Sequence, residues 1–144
     1  LEKELKPYIE SQFKISDTYL FGQSLGGLLA TEILLKKPEL FNNYFIISPS
    51  LWWDDESLLK EANQLLSKIP DTKKFVYVSV GKGEHKVMVK DAEDLYDILK
   101  KSNKKNWRVE YKMMETDNHA TILHRSLYEG LVKLFPYKEP KKYN

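Results

Sequence analysis

Apolar side chains recur along this chain in two rhythms, and the switching between them marks out the elements. Leu1, Leu5, Tyr8, Ile9 and Phe13 share one helical face, with Pro7 tolerable only near a first turn or a kink. Asp17 to Phe21 reads as a buried strand, and Leu25 to Lys37 returns to helical spacing through Leu25, Leu28, Leu29 and Ile33. Pro38 closes that run, and Tyr44 to Ser48 is a short β-rich segment ended by Pro49. Asp54 or Asp55 is placed to cap a helix over Glu56 to Lys68. Beyond the Pro70-Asp71 turn, Phe75 to Val80 (FVYVSV) is the strongest strand signal. A helix from about Val87 to Lys101 then carries Leu95, Ile98 and Leu99 on one face. Trp107 to Met114 alternates like a half-buried strand, and Thr121 to Leu134 is the last predicted helix. Such regular alternation predicts a parallel sheet with right-handed crossovers. Ligands of open parallel sheets gather beyond the carboxyl ends of the strands. Those ends carry Ser24, Ser48-Pro49, Gly81 to His85 and Glu115 to His119.

At the first of these ends stands YLFGQSLGG, in which Gly22, Ser24 and Gly26 spell G-x-S-x-G between a predicted strand and a predicted helix. That context is the nucleophile elbow, a strained turn that lifts a serine hydroxyl above the sheet. A Cβ two residues before or after the serine is expected to collide with neighbouring backbone. The competing interpretation is an ordinary glycine-rich turn. Phosphate loops are excluded by spacing, since neither the Walker pattern nor GxGxxG is present.

Composition narrows the chemistry further. The 144 residues set Lys+Arg 23 against Asp+Glu 21, a formal charge of +2, which argues against nucleic acid or an anionic membrane as the main partner. With no cysteine there is no disulfide, thiolate nucleophile or cysteine-based metal site.

An acyl-transfer serine needs a base for its proton and a third group to orient that base. Of the three histidines, His119 lies in the loop after the last strand, where the chain order serine, acid, histidine puts the base. His85 and His124 read as surface residues. Glu84, on the GKGE loop at a strand end, is the best candidate acid. Asp91 is the alternative but falls near the first turn of a helix, where a carboxylate suits the dipole, and Asp117 reads as a turn former. The backbone N–H of Leu25, at a helix amino end, is the expected oxyanion donor.

GQSLGG, then PELFNNYFIISPSLWWDDESLL, VSVGKGE and DNHATILHRSLYEGL together resemble the Putative esterase family of α/β-hydrolases. The likeness is greatest to its siderophore trilactone esterase branch. The resemblance implies a serine carboxylic-ester hydrolase working through an acyl-enzyme on a small-molecule ester, needing no metal or cofactor. Ser24 would be the nucleophile, His119 the base, Glu84 the acid and Leu25 an oxyanion donor, with Trp52 and Trp53 lining the substrate site. Some siderophore esterases use a serine-histidine pair alone, the alternative to a triad that includes Glu84. A non-catalytic interaction module on the same scaffold, or an acyltransferase, are the rival functions.

Only about thirteen residues precede the nucleophile strand. The family pattern places further strands and a second oxyanion loop there. The resulting expectation is a C-terminal portion of an α/β-hydrolase with about four parallel strands, flanking helices and the upstream strands absent. Residues 1–135 would be the C-terminal half of the catalytic domain, and 136–144 a polar tail or linker. Such a fragment is expected to be inactive by itself. Its exposed nucleophile-strand edge would be covered by a homodimer or by segment exchange.

Overall fold

The computed structural model describes residues 1–139 and contains one sheet of four strands. They are β1 (Tyr19–Ser24), β2 (Asn43–Pro49), β3 (Lys74–Gly81) and β4 (Trp107–Met114), adjacent in chain order with every neighbouring pair parallel. Five α-helices accompany them: α1 (Leu5–Gln12), α2 (Leu25–Lys36), α3 (Trp53–Lys68), α4 (Lys86–Lys101) and α5 (Ile122–Leu134). Strand number, direction and alternation match the sequence expectation.

The pleat divides the core. Tyr44, Ile46, Val76, Val78 and Val109 meet Ala30, Leu34, Leu58, Ala62, Leu95 and Leu99, which belong to the three crossover helices α2, α3 and α4. Successive crossovers of one hand between strands laid side by side stack their helices on one face. Phe45, Phe75 and Tyr77 point the other way and are covered by Leu127, Leu131 and Leu134 of α5. Gly130 permits that docking, because a Cβ there would lie 2.7 Å from the Tyr77 ring and 2.8 Å from the Phe45 ring. β2 and β3 are buried along their whole length, as their unbroken apolar runs require.

Two local expectations are corrected. Asp17 to Phe21 is not a buried strand: β1 starts at Tyr19 and forms a sheet edge, so only Gly22 is buried and Phe21 stays 43% exposed. An apolar run encodes affinity for a core, but the number of strands flanking it decides burial. Neither Asp54 nor Asp55 caps α3. Both lie, with Glu56, in the left-handed region, and the Asp55 carboxylate pairs with Lys60 at 2.6 Å instead.

The expected C-terminal portion lacking its upstream strands is also corrected. The strands and helices build one α/β-hydrolase-like core that runs through the described chain, both faces of the central strands being covered. Residues 136–139 are exposed and carry no regular structure, and the rest of the expected tail, 140–144, lies outside the described residues.

Candidate active site

β1 runs directly into α2 at Ser24, whose φ of 60° and ψ of −121° are rare for a residue with a side chain. This is the sharp reversal expected of an elbow. The close approach it requires falls on Gly22, where a Cβ would lie 2.0 Å from the Gly26 carbonyl oxygen. The expectation of equal crowding at Gly26 is not met. A Cβ there has nothing within 4 Å, and the second crowded position is Gly27, 2.9 Å from Pro49 Cα. Leu25 is the first residue of α2, so its N–H belongs to the first turn and has no partner within the helix.

Glu84 and His119 come from loops after β3 and β4 and meet at 2.8 Å, Glu84 Oε2 to His119 Nδ1. The Glu84 side chain is fully buried, whereas that of His119 is 43% exposed. Glu84 Oε1 accepts hydrogen bonds from Gly81 N–H at 2.8 Å and from Ser48 Oγ at 2.5 Å. Gly81 must lack a side chain, because its Cβ would lie 2.6 Å from the Asp117 carbonyl oxygen.

The elbow and the histidine loop are tied together by Gln23, whose Nε2 donates to the His119 carbonyl oxygen at 2.6 Å. Among the described residues, the hydrogen bond of Ser24 Oγ is to Ser50 Oγ at 3.3 Å rather than to His119. Ser50 N–H also donates to the Ser24 carbonyl at 3.0 Å. Trp52 and Trp53 follow Ser50 after a single residue, Leu51. Both are exposed, with ring centroids 6.0 Å apart.

The alternative residues stand elsewhere. Asp91 lies in the second turn of α4, fully buried, with no hydrogen-bond partner for either oxygen among the described residues. Burial, and then the charge of Glu56, pushes its pKa up to about 6. Asp117 is buried beside Arg125 at 3.0 Å and accepts from Thr121 Oγ1 at 3.1 Å. His85 is the exposed N-cap of α4, and His124 is exposed on α5. The sequence marks Ser48 only as a strand-end residue, and Gln23 and Ser50 not at all. Their one signal is polar character at strand ends that are otherwise apolar.

A model of the Putative esterase family matches residues 1–125. The chain is 31% identical over 130 residues to the ferri-bacillibactin esterase BesA of Bacillus subtilis, a match covering 85% of this chain and 45% of that protein. The crystal structure of the BES protein from Bacillus cereus superposes with a TM-score of 0.81 at 38% identity, covering 90% of this chain and 51% of that one. The siderophore hydrolase EstA from Aspergillus nidulans gives 0.75 at 27% identity, covering 92% and 53%. The chain thus spans about half the length of the relatives it matches. Likeness running from residue 1 and over nine-tenths of the chain overturns its assignment to a C-terminal half only.

Proposed function

Because the chain belongs to the Putative esterase family, we propose that it is a serine carboxylic-ester hydrolase in which Ser24 acts through an acyl-enzyme. The observation that carries this reading is the buried Glu84 carboxylate held 2.8 Å from His119 Nδ1, in a loop that Gln23 fastens to the elbow. A carboxylate on Nδ1 keeps the proton there and leaves Nε2 free to accept another. Catalytic hydrogen bonds commonly tighten only once substrate is bound. Accordingly, Ser24 Oγ leaves Ser50 and turns toward His119 as the ester enters.

Ser24 Oγ then attacks the carbonyl carbon while His119 Nε2 takes its proton. The carbonyl oxygen becomes negative and faces the Leu25 N–H at the positive end of α2. Collapse breaks the ester C–O bond, and His119 returns the proton to the leaving alcohol. Water attacks the acyl group in the same way, with His119 again as base, and Ser24 is regenerated. No electron or metal is exchanged in this scheme.

The names of the relatives support siderophore-type esters, and the exposed Trp52–Trp53 pair supports aryl groups, as the substrate class. The open edge of β1, with Phe21, Leu25 and Leu29 exposed beside it, supports pairing of two copies. No helix among the described residues is long and apolar enough to cross a membrane. The activity is tested by turnover of p-nitrophenyl butyrate and of a catecholate trilactone. Hydrolysis abolished by Ser24→Ala is expected, and turnover indifferent to that substitution would end this reading.

A further inference from the structure

Pairing between β1 and β2 keeps step through Gly22 with Ile46 and Gln23 with Ile47, then skips one residue so that Ser24 stands opposite Pro49. The skipped residue is Ser48. An extra residue in one strand is a β-bulge, and bulges beside functional sites redirect a side chain that the regular pleat would send elsewhere. Ser48 has φ 43°, a conformation that favours glycine, yet it carries a side chain and is fully buried. Its hydroxyl reaches across to Glu84 Oε1 at 2.5 Å.

Glutamate has one more rotatable bond than aspartate, and that freedom must be restrained if the carboxylate is to hold one orientation against an imidazole. Gly81 N–H and Ser48 Oγ both bond Oε1, which leaves Oε2 aimed at His119. Gly81 N–H is the last of β3 and lies only three residues from Glu84, so it ties the carboxylate to its own strand end. Ser48 belongs to a neighbouring strand and provides the anchor from outside. We propose that Ser48 is a positioning residue for the catalytic dyad, held in a left-handed bulge so that its hydroxyl fixes the Glu84 carboxylate. This inference rests on the hydrolase reading of the same site.

The test is the rate of Ser24 labelling by a fluorophosphonate on the 144-residue chain, with Ser48→Gly and Ser48→Ala each made alone and in the Glu84→Ala background. Thermal melts are recorded alongside. Ser48→Gly relieves the backbone while removing the hydroxyl, and Ser48→Ala removes the hydroxyl while keeping Cβ. Both are expected to slow the inactivation step roughly tenfold, as for a lost hydrogen bond to a charged group, with apparent probe affinity unchanged. The melting temperature of Ser48→Gly should match or exceed that of the parent. In the Glu84→Ala background, either Ser48 change should alter the rate less than about twofold, since the two residues act as one unit. Labelling at the parental rate, or equal slowing in both backgrounds, would overturn the role of Ser48 alone. Absence of Ser24 labelling in the parent would overturn the hydrolase reading and this inference with it, whereas Glu84→Ala labelling at the parental rate would overturn the roles of Glu84 and Ser48 and leave a serine-histidine pair.

Discussion

Gly22→Ala and Gly26→Ala differ by four residues within one motif, and the structure predicts opposite outcomes. At Gly22 the new methyl would lie 2.0 Å from the Gly26 carbonyl oxygen, 2.4 Å from its carbon and 2.9 Å from Gly27 N. All three are backbone atoms of the first turn of α2, so no rotamer change relieves the clash. Overpacking of this sort costs about 3 kcal/mol, which in a domain of this size lowers the melting temperature by roughly 10 °C. Moving that turn also displaces the Leu25 N–H, so the esterase rate should fall by roughly a hundredfold or more. At Gly26 the methyl meets nothing within 4 Å and the residue is helical. Alanine gains up to about 1 kcal/mol of helix propensity there, less near a helix end. Thermal melting by circular dichroism and p-nitrophenyl butyrate turnover report both effects. Equal damage from the two substitutions, or an unshifted melt for Gly22→Ala, would refute the steric account of the elbow.

Asp91 titrates near an ordinary aspartate value of about 4 when the chain is unfolded, but at about 6 in the folded state, through burial and the charges of Glu56 and Asp94, with Lys90 opposing. Between those pH values the folded state holds the extra proton, so stability falls as pH rises through this window. Asp91→Asn should flatten that slope in pH-dependent urea titrations and raise stability near neutrality; an unchanged slope would show that other groups cause it. Trp52→Ala should raise KM for an aryl ester about tenfold while sparing a short alkyl ester, and equal loss on both would assign Trp52 to packing. Phe21→Lys places a charge on the open edge of β1 and should shift sedimentation velocity from dimer to monomer. A parent that sediments as a monomer at high concentration would remove the pairing proposal.

The order of elements was legible because β2 and β3 are unbroken apolar runs between proline-bearing turns, and the crossover helices carry clear apolar faces. Chain order alone also brought Glu84 and His119 together as candidates, and the structure sets them 2.8 Å apart. Tertiary placement decided the rest. Phe21 is exposed because its strand has one neighbour in the sheet, which no local pattern records. Gly26 and Gly27 are indistinguishable in a motif, yet only Gly27 touches Pro49 across the strand crossing. The hydroxyls of Ser48 and Ser50 look alike in SPS, but the bulge sends one to Glu84 and leaves the other beside Ser24.

The account turns on whether Ser24 is a nucleophile activated by His119. Fluorophosphonate treatment followed by peptide mass spectrometry measures this directly. It should give a single adduct on Ser24 that Ser24→Ala abolishes and His119→Ala slows by orders of magnitude. An adduct on another residue, no adduct, or undiminished labelling of His119→Ala would contradict the account.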